Sequence, residues 1–225
     1  MIDIKEYNFP DEELIRSENP ADHCVIWQPE SISLILGQSN KGPESVHAQK
    51  AMADNIPVYK RPSGGQAVLI SPNTIIISVI RKREKFQSIK PYFEQYNNKI
   101  IEALESFGIS NLRQNGISDI SIGDKKILGS AIYQNKDRIF YHAVLNVKED
   151  AELIGEYLKH PPQEPDYRGG RSHTEFVTSL AEQGYELEIQ DIVKTLQQKF
   201  TLNWWFYFLK YFTKFKSQSI KRPLS

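Results

Sequence analysis

A basic, glycine-rich turn sits between two β-like runs in V-Y-K-R-P-S-G-G-Q-A-V-L-I, residues 58–70. Pro62 fixes φ, while Gly64 and Gly65 can take φ > 0 and let backbone N–H groups come close to a ligand. Two adjacent amides free of Cβ crowding can form an anion-binding nest, and Arg61 adds a forked donor beside it. That chemistry suits a phosphate or a carboxylate. Taken alone, S-G-G reads more readily as a plain hairpin loop under a solvated arginine. It is not a P-loop, because no Gly-Lys-Ser/Thr follows, and it is not a dinucleotide fingerprint.

A second candidate lies in G-I-S-D-I-S-I-G-D-K-K-I-L-G-S-A-I-Y-Q, residues 116–134. Gly123-Asp124 predicts a tight hairpin turn. Lys126 then opens a strand in which Gly129, Ser130 and Ala131 are unusually small, a pattern that leaves room for a ligand or another backbone. A lysine at that mouth is a point charge aimed into a cleft; without the cleft it is an exposed hairpin lysine. A third stretch, R-I-F-Y-H-A-V-L-N-V-K-E-D at 138–150, predicts a strand and a helix cap near Asp150. His142 within it reads as a satisfied sheet histidine rather than a base. The five histidines lack metal-ligand spacing, so no metal site is expected, and no G-x-S-x-G elbow supports a serine hydrolase.

These candidates need elements to hold them. Strands are predicted around Cys24–Gln28, Ile32–Gly37, Val58–Lys60, Gln66–Ile70, Thr74–Ile80, Asp119–Ile122, Ile127–Tyr133 and Arg138–Val147, from β-branched or aromatic runs bounded by turn residues. Helical patterns fit Pro43–Asp54, Ile89–Phe107, Ala151–Leu158, Glu175–Glu182 and Glu188–Lys199. The strands outnumber those of a doubly wound fold and several are hairpin neighbours. The expected fold is therefore α+β, with a mixed, largely antiparallel sheet flanked by helices.

The 225 residues suffice for one large domain, or one with a small appendage. Lys plus Arg and Asp plus Glu both number 28, so the chain lacks the charge excess that draws proteins to nucleic-acid backbones. One cysteine, Cys24, excludes an intramolecular disulfide framework and any zinc site built from several cysteines. The acidic start carries no signal-peptide pattern and no run is long enough to span a bilayer, which predicts a soluble cytoplasmic protein. No acidic residue follows Asp191, and nine aromatics crowd between Phe200 and Phe215. The expected division is one main domain over 1–199 and a basic aromatic tail over 200–225. Trp204, Phe208, Tyr211, Phe212 and Phe215 would form one helix face, docked on the core or a partner rather than on a membrane.

In combination, K-R-P-S-G-G-Q-A-V, then S-D-I-S-I-G-D-K-K-I-L-G-S-A, then H-A-V-L-N-V resemble the lipoate–protein ligase A family, within the biotin/lipoate ligase and octanoyltransferase superfamily. L-I-L-G-Q-S-N-K-G-P-E-S-V at 34–46 and Y-L-K-H-P-P-Q-E-P-D-Y-R-G-G-R-S-H at 157–173 extend the likeness to roughly residues 20–180. The resemblance implies a biotin/lipoate ligase catalytic-domain fold whose sheet cradles an acyl-adenylate. It also implies activation of lipoate by ATP with Mg²⁺, and transfer to a carrier lysine. The implied carriers are the lipoyl domains of 2-oxoacid dehydrogenase complexes or the glycine-cleavage H protein.

By the same likeness Arg61 matches the arginine that contacts the nucleotide, and Gly64 and Gly65 match the glycine loop. Gln66, Ala67, Val68 and Leu69 match the strand start lining the lipoate and adenylate site. Lys126 matches the active-site lysine against the acyl carbonyl and α-phosphate, and apolar faces around Val68 and Ile132 would suit a lipoyl tail. Two departures stand out: Lys60 precedes Arg61 where the family often has a second arginine, and Gln66 replaces a third glycine. Two-domain members continue into an accessory domain that residues 200–225 do not resemble. One alternative is a binding protein that needs a separate accessory chain. Another is an ATP-independent octanoyltransferase, whose cysteine nucleophile would fall near His160; Cys24 lies far upstream in a strand that reads as buried.

Overall fold

The structure, a computed structural model, describes residues 2–16, 23–83 and 88–201. The tail helix expected around Trp204–Phe215 lies outside them. Six strands form an antiparallel sheet in the order β2 (His23–Trp27), β6 (Thr74–Lys82), β10 (Arg138–Asn146), β9 (Lys125–Gln134), β8 (Asp119–Ile122) and β7 (Leu112–Asn115). A smaller sheet runs β1 (Ile4–Glu6), β4 (Val58–Lys60), β3 (Ser33–Leu36), β5 (Val68–Ile70), parallel except where β5 turns back along β3. The mixed, largely antiparallel α+β fold expected from the sequence is the fold observed.

Alternation sorts each strand between two faces. On β6 and β10, Ile75, Ile77, Val79, Tyr141, Ala143 and Leu145 point to the main core. There they meet α4 (Lys90–Glu105), whose Tyr92, Phe93, Tyr96, Ile100 and Leu104 recur at helical spacing and are buried. A final helix over 189–201 completes this core with Ile192, Leu196 and Phe200, whose ring stacks on Tyr96. The opposite face of the large sheet packs Ile76 and Val144 against Ile35 and Ile70 of the small one. Leu34, Leu36 and Val58, on the far side of the small sheet, pack with Ala51 of α3 (Ala48–Ala53) and Tyr157 of α5 (Ala151–Tyr157). Two sheets thus lie face to face between helical layers.

Two expected helices are shorter or broken. Pro43–Asp54 divides into α2 (Gly42–Ser45) and α3, because fully buried Val46 leaves helical geometry to bridge Leu158. Glu175–Glu182 is not a helix. Only His173–Phe176 coils, as α6, started by a capping box between Ser172 and Glu175. Val177 then bridges Lys126 in parallel and the Thr178 N–H donates to the Lys126 carbonyl at 2.9 Å, so strand pairing wins over continued helix. Three short elements carry no readable signal: β1 and β7 are three and four mostly polar residues, and α1 (Glu12–Arg16) is a single turn. Among the described residues no helix is long and apolar enough to cross a membrane.

Candidate active site

The glycine turn and the lysine hairpin open onto one cleft of about 780 Å³. Arg61, Gly65, Gln66, Ala67, Val68 and Leu69 form one side of it. Lys126, Gly129, Ala131, His142 and Val144 form the floor. The notion that small residues on β9 make room for a ligand holds geometrically, since Gly129 and Ala131 share the open face. Ile132 does not share it. Alternation turns its side chain to the α4 core, where it packs beside the buried cluster, so Val144 and Ala131 supply the apolar floor instead.

Arg61 is not a solvated arginine. It is 4% exposed and its guanidinium donates to the carbonyls of Gly64 (2.9 and 3.2 Å), Gln66 (2.9 Å) and Ile35 (3.4 Å). Burial pulls it down to about 10, against the charges of Tyr7 and Asp11, which favour the cation. Its role in this structure is to pin the turn from beneath. Asp11 is fully buried there, accepting from the hydroxyls of Tyr7 (2.8 Å) and Ser78 (2.6 Å), and desolvation pushes its carboxyl upward. Ser63 Oγ meets His142 Nε2 at 3.0 Å. Burial, then Arg61's charge, hold that imidazole well below its ordinary value, so it is neutral. His142 is thus a satisfied sheet histidine that also ties the floor to the turn.

The glycines divide by need. Gly65 has φ +96, and a Cβ on it would lie 2.8 Å from the Arg61 guanidinium. Gly64 meets nothing within 4 Å and has no positive φ. Gln66 is not among the positive-φ residues, so glutamine suits the third position without strain. A missed position is Gly37, where a Cβ would fall 2.0 Å from the Gly65 carbonyl oxygen. Gly37→Ala should therefore displace the turn and cost about 1–3 kcal/mol, whereas Gly64→Ala should stay within about 0.5 kcal/mol. Chemical denaturation of both variants checks this; equal stabilities would contradict it.

Lys126 is placed by an irregularity. The Gly123-Asp124 turn forms as expected, with Gly123 at φ +60, but the register slips between Ile120 and Ser121, pairing Asp119 with Gly129. This bulge lays Lys126 across Gly129, with Nζ 3.0 Å from Asp119 Oδ1. The lysine side chain is 26% exposed and the carboxylate 5%. Tyr167, in a 3₁₀ turn at Asp166–Arg168, donates to Asp119 Oδ2 at 2.8 Å. Near them, buried Arg168 stacks on the Phe176 ring at 4.8 Å. Half-buried His173 is drawn down to about 4 by burial and then by Arg168, among other charges. Lys126 and Arg168, each paired with a carboxylate, thus stand beside an apolar floor, an arrangement able to hold an anionic group next to a hydrocarbon chain. Among the described residues no group of three or more His, Cys, Asp or Glu could hold a metal.

Cys24 lies on β2, against the main core and away from the cleft, and burial pushes its thiol up to about 12. It should alkylate much more slowly than a free thiol at neutral pH; rapid, stoichiometric iodoacetamide labelling of the folded chain would contradict this. His160, near the position the resemblance gives a transferase cysteine, contacts Glu164 at 2.8 Å and Arg168 at 3.5 Å.

A two-sheet α+β domain therefore brings the glycine turn and the lysine hairpin together on one cleft. The lipoyl protein ligase A/B catalytic domain matches residues 10–201, and the chain belongs to that family. It is 28% identical over 193 residues to lipoate–protein ligase 1 of Staphylococcus aureus, covering 84% of this chain and 57% of that protein. In general it spans about half the length of the curated relatives it matches. The bi-partite lipoate protein ligase of Thermoplasma acidophilum, studied with its E2 lipoyl domain, superposes with TM-score 0.72 at 23% identity, covering 85% of this chain and 75% of that one. A lipoate–protein ligase A bound with ATP gives 0.72 at 21%, covering 89% and 83%. At these identities the structures establish the shared fold.

Proposed function

We propose that this chain is the catalytic part of a lipoate–protein ligase, which joins lipoate to ATP as lipoyl-AMP and passes the lipoyl group to a carrier lysine. The observation carrying this is that Lys126 and the Gly65–Leu69 wall face the same cleft. In the first step a lipoate carboxylate oxygen attacks the α-phosphorus and pyrophosphate leaves. In the second, the lysine amine attacks the acyl carbon, AMP leaves, and the amine loses a proton. Negative charge builds on the α-phosphate and then on the acyl oxygen. A fixed ammonium at Lys126 stabilises both without having to reorganise.

The apolar floor of Ala131 and Val144, with Leu69 above, takes the hydrocarbon tail in this reading. Gly64 and Gly65 belong to the loop over the acyl-adenylate, and Arg61 serves it by pinning that loop. The nucleotide enters as its magnesium complex. Magnesium carried with the nucleotide would draw its ligands chiefly from phosphate and water, because the cleft carboxylates Asp119 and Glu164 are already engaged by Lys126, Tyr167 and Arg168. Partners are lipoyl domains of 2-oxoacid dehydrogenases or the glycine-cleavage H protein, together with an accessory chain, as the bi-partite archaeal relative suggests. We place the reaction in the cytoplasm.

Incubation with MgATP, lipoate and an apo lipoyl domain, with and without an added accessory domain, tests the reading. A carrier gaining one lipoyl group by mass spectrometry supports it. An unmodified carrier under both conditions rejects it, and ATP-independent transfer from an octanoylated carrier protein would favour the transferase alternative.

A further inference from the structure

Asp119 stands where two parts of the molecule are fastened together. One is the hairpin that carries Lys126. The other is the segment after α5, whose 3₁₀ turn presents Tyr167. Arg171 clamps this segment to the hairpin turn, donating to the Asp124 carboxylate (2.9 Å), the Asp124 carbonyl (3.2 Å) and back to the Tyr167 carbonyl (2.9 Å). The Tyr167 ring packs against Phe176 at 5.1 Å. Gly116 also lies beside the ring, within ordinary packing distance, since a Cβ there would meet it at 3.8 Å. The hydroxyl is therefore held in place independently of Asp119.

The carboxylate it meets divides its oxygens. Oδ2 accepts from Tyr167 at 2.8 Å, while Oδ1 takes the Lys126 ammonium at 3.0 Å and the Ser118 hydroxyl at 3.0 Å. A carboxylate gripped at one oxygen cannot rotate about its last torsion without breaking that bond, so the direction of the other oxygen is fixed. The lysine it aims ends a flexible four-carbon stem, which otherwise samples many rotamers.

We propose that Tyr167 is a positioning residue for Lys126, acting through Asp119. The clamped segment sets the tyrosine, the tyrosine sets the carboxylate, and the carboxylate sets the ammonium that meets the reacting carboxyl and phosphate. This rests on the reading of Lys126 as the charge partner of lipoate activation. It adds a residue outside the hairpin on which that partner depends.

Tyr167→Phe removes only the hydroxyl and keeps the ring in its packing. In lipoate-dependent pyrophosphate release the variant should lose about tenfold in kcat with KM for lipoate and MgATP unchanged, as expected when a positioned group is loosened rather than a binding contact removed. The double variant Tyr167→Phe/Lys126→Ala should be no slower than Lys126→Ala alone. A second arm needs no turnover: limited acetic anhydride labelling, read peptide by peptide, should modify Lys126 several-fold faster in Tyr167→Phe, relative to the other lysines. Multiplicative losses in the double variant, an unchanged kcat, or an unchanged Lys126 labelling ratio would each overturn the proposal. If the wild-type chain releases no pyrophosphate with or without an added accessory domain, the activity reading fails and labelling alone decides the role of Tyr167.

Discussion

Lys126→Ala should slow lipoate activation about 10²–10³-fold, equivalent to about 3–4 kcal/mol of transition-state stabilisation. The ammonium is a cleft cation held on a rigid strand beside the small-residue floor, where charge would develop. From the sequence, this lysine reads as a strand-mouth residue with little bearing on stability. The ion pair with Asp119, whose side chain is 5% exposed, changes that expectation. Truncation leaves a buried carboxylate with Tyr167 and Ser118 as its remaining donors. Folding stability should therefore also drop, by about 1–3 kcal/mol. Single-turnover kinetics and thermal unfolding of the same variant measure the two effects. Near-full activity would return Lys126 to the role of an ordinary hairpin lysine.

Gly129→Ala should be nearly as damaging to activity for a purely geometric reason. A Cβ on Gly129 would lie 2.7 Å from Lys126 Nζ and 2.8 Å from Cε, closer than real carbons approach. The atoms in its way are the end of a flexible side chain, so the fold can yield cheaply while the ammonium is driven from its place. The expected result is a loss of about 10–100-fold in kcat, since displacements near 1 Å at a reacting centre cost up to about 10². The melting temperature should fall by only a few degrees. A variant that keeps its rate would mean that the position of Lys126 in the free protein is not the one used in the reaction.

How far the sequence reaches is clearest around this lysine. Gly123-Asp124 encodes the hairpin turn, and the turn alone gives Ile122 opposite Lys125 and Ser121 opposite Lys126. Regular pairing continued from there would set Asp119 against Leu128. The bulge moves it to Gly129, and nothing local in S-D-I-S-I-G-D-K-K-I-L-G announces that slip. The Lys126–Asp119 pair was hidden for that reason. Tyr167 and Gly37 were hidden for another: each matters through a contact far along the chain, which no periodicity records. The glycine turn shows the converse. Gly64, Gly65 and Arg61 were legible as a turn with a donor beside it, yet only packing reveals that the guanidinium is spent on carbonyls beneath the loop. The helix expected over Glu175–Glu182 failed because the Lys126 carbonyl captures the Thr178 amide, a long-range hydrogen bond that outweighs local helical preference.

Lipoate-dependent exchange of labelled pyrophosphate into ATP is the most direct test, because it reads adenylate formation without requiring any carrier to be identified. The wild-type chain with MgATP should incorporate label only when lipoate is present, and Lys126→Ala should reduce that incorporation by at least about a hundredfold. Exchange that is absent from the wild type both with and without an added accessory domain, or that persists undiminished in the variant, would contradict the assignment of this cleft as an acyl-adenylating site.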